Sequence, residues 1–381
     1  ISNVFTLIAF GLGAAIPMYI IALYSRKITT VFHVFQKHSI RLRKSLGLII
    51  IVSISYVFYV VQNPLKISTA QSYVTTAPYL EKRLWRTYSA PPISGIEQWI
   101  NSPPLFMEQL KGKVVLVDFW TYSCINCIRS LPYLKSWHDK YHDKGLVIIG
   151  VHTPEFEFEK NPTNVQRAIE AYGIKYPVAL DNQFSTWFNY KNHYWPAQYL
   201  INKDGVVVYN HFGEGDYDIT ENNIRFLLNI KAPIKLPTSP PNFIVSETPE
   251  TYLGYSRADS FFGPDLVPNQ IEEYYYPIQL QKNAWALHGR WEVMTDKIIS
   301  VGPGDGIKIH FNARNVFVVM GNSGGNPIEV SVLLDGKKVD SIKVDKHSIY
   351  PVLKFQELTN GYLELETEDA GLELFTFTFG E

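Results

Sequence analysis

Two cysteines occur in the 381 residues, and they form one motif, Cys124-Ile125-Asn126-Cys127. A pair at this spacing suits thiol–disulfide exchange. The first thiol attacks a disulfide as its thiolate, and the second resolves the mixed disulfide that results. The spacing serves this division of labour if the pair opens a helix. Cys124 then lies where unpaired backbone N–H groups and the helix dipole favour an anion, and Cys127 sits one turn deeper. A thiol so placed is expected to titrate at roughly 3.5 to 7.5 instead of ~8.5. The competing use is half of a zinc site, which needs four ligands. No second cysteine pair exists to complete one. The pair is therefore read as redox-active, with no metal and no cofactor beyond the two sulfurs.

The residues on either side place the pair on suitable elements. Val114, Val115, Leu116 and Val117 form an apolar run that ends at Asp118-Phe119-Trp120, the pattern of a buried strand. Beyond the motif, Ile128, Leu131 and Leu134 recur at helical spacing, with Trp137 a turn further on. A strand running into a helix that carries Cys-x-x-Cys in its first turn resembles the active site of the thioredoxin superfamily. The resemblance implies an α/β thioredoxin fold, in which Asp118 lies buried beneath Cys127 and helps to move its proton.

Further elements fit that order. Residues 146–151 read as a second buried strand and 161–172 as a helix with Pro162 in its first turn. Residues 199–202 and 206–209 flank the turn Lys203-Asp204-Gly205 as a hairpin, and 221–230 close the unit as a helix. The segments around Trp99 and Leu110-Lys111-Gly112-Lys113 resemble the start of TlpA-like thioredoxins. In thioredoxin folds a cis-proline faces the cysteine pair, and the resemblance gives that place to Pro196. Trp195 and Trp120 join it as residues of the substrate groove. Glu155, in His152-Thr153-Pro154-Glu155 after the second strand, is a candidate for tuning the thiols and equally a solvated loop acid.

A net charge of −1 gives no electrostatic case for nucleic acid as a partner. Residues 4–23 and 46–61 are uncharged, and the first is long enough to span a bilayer. Between them stand Arg26, Lys27, Lys37, Arg41, Arg43 and Lys44 without an acid, so the loop is expected on the cytoplasmic side. Everything after residue 61 is then extracytoplasmic, in agreement with the sparing use of cysteine. The span with Gly11, Gly13 and Pro17 resembles a terminal helix of the CcdA/DsbD membrane electron carriers. The chain starts at Ile instead of Met, and is expected to be an N-terminally truncated fragment.

Residues 232–249 are rich in proline and read as a linker. Beyond them, 298–301, 307–311, 316–320, 329–334, 341–344, 362–366 and 372–379 read as short strands of an all-β jelly-roll sandwich. Trp285, Trp291 and the run from Tyr274 to Tyr276 are candidates for stacking on sugars, or for the sandwich core. The segments FWTYSCINC (119–127), GVHTPEF (150–156), YWPAQYLI (194–201), GEGDYD (213–218) and GLELFTFTFG (371–380) together resemble DipZ-type proteins.

That resemblance implies a multidomain chain. An α-helical transmembrane hairpin at 1–62 ends a CcdA-like part, and a juxtamembrane linker covers 63–92. A TlpA-like thioredoxin domain at 93–231 and a linker at 232–249 precede a β domain at 250–381, similar to carbohydrate-binding modules. It further implies a membrane-tethered, extracytoplasmic (periplasmic) thiol–disulfide reductase, with electrons from cytoplasmic thioredoxin through the membrane part. Its partners would be disulfide-bearing proteins outside the cytoplasm, apocytochrome c among them. An extracytoplasmic thiol oxidase with the same site is the first rival reading. A non-enzymatic envelope or glycan-binding protein on a thioredoxin scaffold is the second.

Overall fold

Seven consecutive buried residues, Val114–Trp120, form the strand (β3) on which the first domain is built. The computed structural model describes residues 80–231, 248–322 and 324–380. The expected spans at 4–23 and 46–61 lie outside the described residues, as does most of the expected linker at 232–249. Among the described residues no helix is long and apolar enough to cross a membrane.

Around β3 the chain adds β1 (Tyr88–Ser89), β2 (Gln98–Ile100), β4 (Leu146–His152), β5 (Val178–Leu180), β6 (Ala197–Ile201) and β7 (Val206–Phe212). They form one sheet in the order β1-β7-β6-β3-β4-β5-β2. β3 runs parallel to β4 and antiparallel to β6, so it is central and covered on both faces. Four helices complete the domain: α1 (Ile125–Tyr141), α2 (Pro162–Tyr172), α3 (Ser185–Asn189) and α4 (Tyr217–Leu227). Side chains alternate along β3. Val114, Leu116 and Trp120 pack with α1, α2 and α4, while Val115, Val117 and Phe119 pack with Met107, Trp187 and Tyr199. Asp118 has the parity of Leu116 and Trp120, which puts it on the face covered by α1.

The expected linker at 63–92 is shorter than its composition suggested. Tyr88 and Ser89 pair with Val207 and Val206 as an edge strand, and Leu84 N–H donates to Val208 O at 2.9 Å. Lys82 also forms an ion pair with Asp216. Residues 80–92 therefore belong to the thioredoxin-like domain. Backbone pairing with an exposed sheet edge needs no apolar periodicity, so the sequence carries no mark of it.

The second domain is all β: β8 (Thr251–Tyr252), β9 (Ile271–Tyr274), β10 (Trp285–Val293), β11 (Ile298–Ser300), β12 (Gly306–Asn322), β13 (Ile328–Leu334), β14 (Lys337–Val344), β15 (Ser348–Thr367) and β16 (Leu372–Gly380). The stretches 307–311 and 316–320, read as two strands, are one long strand, β12, with a bulge between Ala313 and Asn315. Its first half pairs with β10 and its second with β16, while β11 joins β10 to β16. The sheet thus closes on itself around a single core. Trp285, Trp291 and Tyr274 are buried in that core and have no face to offer a sugar.

The two domains meet along an aromatic seam. Phe156 and Phe158, in the loop after β4, pack against Phe375 of β16 with ring centroids 5.1 and 4.8 Å apart. Val319, Ile349 and Tyr252 complete this small cluster.

Candidate active site

Cys124 is the N-cap of α1, with extended backbone, and its sulfur accepts a hydrogen bond from Cys127 N–H at 3.2 Å. This is the expected geometry for holding a thiolate. Cys127 is fully buried in the core against β3, whereas Cys124 is partly exposed, and both are free thiols. The outer sulfur is thus the one a substrate reaches.

The expected depression of the Cys124 pKa is not realised. Burial pushes it above its ordinary value, and nearby Glu155 and Glu250 act in the same direction against the hydrogen bonds from Cys127. One N–H donor and the helix start do not offset loss of solvent together with two neighbouring carboxylates. Cys127 is pushed well up too, by burial and by Cys124.

Asp118 is fully buried, and neither carboxylate oxygen has a hydrogen-bond partner. Burial raises its pKa from 3.8 to about 8, the Gln198 side chain on β6 pulling the other way. Near neutral pH it therefore exchanges a proton readily, and its charge is felt at Cys127. Gly150 lies opposite Asp118 on β4. A Cβ there would stand 3.0 Å from Trp120 Nε1 and 3.1 Å from Tyr176, so a larger residue would press both buried rings to shift by a few tenths of an ångström.

The Trp195–Pro196 peptide is cis, and Pro196 O accepts from Gly213 N–H at 2.8 Å. The Trp195 ring is half-buried. Its Nε1 donates to Thr153 O at 3.0 Å, and it packs 4.2 Å from Trp187. Trp120 is not on a groove surface. It is fully buried, edge-on to His152 at 5.3 Å. Its place on β3, with the parity of Leu116, sends it into the core. Burial also lowers the His152 pKa to about 3, which leaves the ring neutral and unable to serve as a cationic tuner of the thiols.

Two groups near the pair went unread in the sequence. Glu159, in the 3₁₀ turn Glu157–Lys160, is fully buried. It accepts from Ser123 Oγ at 2.6 Å, from Glu155 N–H at 2.6 Å and from Phe156 N–H at 3.0 Å. It thereby ties the loop before Cys124 to the loop after β4. Its only sequence signal is an acid within the alternating run Glu155 to Lys160. Glu250 comes from the second domain. Among the described residues no cluster of three or more metal-ligating side chains occurs.

Comparison with known proteins agrees with the fold of both domains. The family model described as Redoxin matches residues 102–228, and that described as Thioredoxin like C-terminal domain matches 248–380. Protein DipZ of Mycobacterium tuberculosis is 35% identical over 410 residues, which cover 97% of this chain and 58% of the relative. Thiol-disulfide oxidoreductase YkuV of Bacillus subtilis is 31% identical over 126 residues, 33% of this chain and 82% of the relative. The chain belongs to the thioredoxin-like thiol–disulfide oxidoreductases and is similar to DipZ over nearly its whole length. It spans 58% of the length of the DipZ relatives it matches. Both described domains fall within the aligned family, and Cys124, Cys127 and Asp118 lie in its thioredoxin-like half.

Proposed function

We propose that this protein is a membrane-tethered, extracytoplasmic protein-disulfide reductase. The observation that carries the reading is the free Cys124–Cys127 pair at the start of α1 with the unpartnered Asp118 buried under it. In the reaction, the Cys124 thiolate attacks a substrate disulfide and displaces one substrate sulfur as a thiol. Cys127 then gives up its proton, with Asp118 as the nearby acceptor, and attacks the Cys124 sulfur. The second substrate thiol leaves, and the enzyme holds the Cys124–Cys127 disulfide. Two electrons have passed to the substrate.

The thiol environment supports this direction. Strong oxidants of this fold stabilise their reduced form as a low-pKa thiolate. Here burial and the carboxylates disfavour the thiolate of both cysteines relative to the thiol, which supports a pair that gives electrons away. This favours the reductase over the oxidase. A reductase outside the cytoplasm must be recharged, and the charge pattern of residues 4–61 supports a tether whose CcdA-like continuation passes electrons from cytoplasmic thioredoxin. Apocytochrome c and other envelope disulfides are the substrate class that fits.

The test is the reduction potential of the Cys124–Cys127 couple against glutathione. A value below about −200 mV supports the reductase. A value near −120 mV marks an oxidant and overturns the reading.

A further inference from the structure

The charge nearest in influence to Cys124 belongs to the first domain, yet it is held by the second. Glu155 lies just past β4, with its side chain only 8% exposed. Its Oε1 accepts from the Tyr252 hydroxyl at 2.8 Å and from Arg257 Nη1 at 2.8 Å. The Arg257 guanidinium also lies over the Tyr252 ring, 3.3 Å from its centroid. One cation and one hydroxyl of the β domain therefore converge on a single oxygen of the thioredoxin-like domain. The Glu155 backbone is fixed from the other side, by its hydrogen bond to Glu159. Next to this clamp, Glu250 is bonded by Thr378 Oγ1 at 3.2 Å.

We propose that Tyr252 and Arg257 are positioning residues for the thiol chemistry: by orienting Glu155 and neutralising its charge, the β domain sets the reactivity of Cys124. This rests on the reading of Cys124 as the exchanging thiol. The charged and titratable groups that face Cys124 are Cys127, Glu155, Glu250 and Tyr172, and those that face Glu155 are Tyr252, Arg257, Glu250 and Glu159. Both carboxylates disfavour the thiolate, and Arg257 is the cation set against them. The Phe156–Phe158–Phe375 seam supplies adhesion between the domains without charge. The polar clamp is therefore not needed merely to hold them together, and its position beside the thiol gives it an electrostatic effect.

The test is the rate at which iodoacetamide alkylates Cys124 in the reduced, full chain, followed from neutral to alkaline pH and mapped by mass spectrometry. Arg257→Gln leaves Glu155 uncompensated, so alkylation at neutral pH should slow by about threefold or more and the midpoint should rise. Glu155→Gln should speed it and lower the midpoint. Arg257→Lys, which keeps the charge, should stay close to the parent. Arg257→Gln on the Glu155→Gln background should have a clearly smaller effect, because only Glu250 is then left for the cation to neutralise. The proposal is overturned if Arg257→Gln speeds alkylation, or if it has the same effect with and without Glu155. Either result would make Arg257 a plain interdomain tie. Loss of the dithiol reading itself would look different: the parent chain would fail to reduce any protein disulfide while its alkylation remained intact.

Discussion

Asp118→Asn should stabilise the reduced protein and slow its catalysis at once. The carboxyl is fully buried, its oxygens are unpartnered, and its pKa stands at about 8 against 3.8 when free. Between those values the folded chain keeps a proton that the unfolded chain has released. The unfolded state thus binds fewer protons, and stability falls as pH rises through this window. Each pH unit costs about 1.4 kcal/mol, or about 4 kcal/mol by pH 7 if the whole effect is realised. Asn has the same shape and no proton to lose, so it should recover up to about that amount at pH 7 and remove the Asp118 share of the slope, leaving those of Asp181, Glu159 and Glu250. Urea denaturation of both proteins, kept reduced, at several pH values from 4 to 8 measures this. The same variant should resolve mixed disulfides at least about a hundredfold more slowly, the lower end for loss of a general base. An unchanged pH slope in Asp118→Asn would refute the argument, since the burial penalty would then lie elsewhere. Undiminished resolution would show that Cys127 loses its proton by another route.

Other substitutions separate the remaining roles. Cys124→Ser should abolish reduction of a protein disulfide, while Cys127→Ser should accumulate a mixed disulfide with substrate, both visible on non-reducing gels. Glu159→Gln replaces an acceptor that serves Ser123, Glu155 and Phe156 with an amide that must also place two donors. It should cost about 1–3 kcal/mol in thermal or urea unfolding. Trp291→Ala, in the core of the second domain, should cost about 3–5 kcal/mol. In that variant disulfide exchange by Cys124 should persist below the new melting point.

Much of the first domain was legible because its signals are local. The run Val114 to Val117, the motif at 124–127 and the Lys203-Asp204-Gly205 turn each specify their element within a few residues. The expected helix at 221–230 forms at Tyr217–Leu227, a shift explained by Tyr217, whose ring stacks 3.6 Å from Tyr133. The second domain was harder. β12 was read as two pieces and β15 only as its last part, because the register shift that falls between Ala313 and Asn315 on one strand and between Lys354 and Thr359 on the other interrupts their apolar alternation. β9 and β10 escaped notice, although they hold Tyr274, Trp285 and Trp291, whose residue types fit a core as well as a binding face. At the site, the sequence identified both sulfurs and their acid. It could not report the raised Cys124 pKa, which arises partly from Glu155 and from Glu250 of the second domain, groups that only folding brings near. Trp120 was misplaced for a different reason: it stands close to the motif in sequence, but the strand alternation points its ring into the core.

The burial of Cys127 behind Cys124 has a bearing on oxidative damage. Peroxide in the surroundings meets Cys124 first, and the sulfenic acid formed there is reversible only while a thiol can capture it. Cys127, one helical turn away and shielded from solvent, can attack that sulfur, closing the disulfide and releasing water. The product is the ordinary oxidised form of the enzyme, so an encounter with peroxide ends in a state from which the next pair of electrons restores it. The same arrangement that makes the inner sulfur a resolving thiol thus spares the outer one from irreversible sulfinic acid, in a chain that has no third cysteine to take its place.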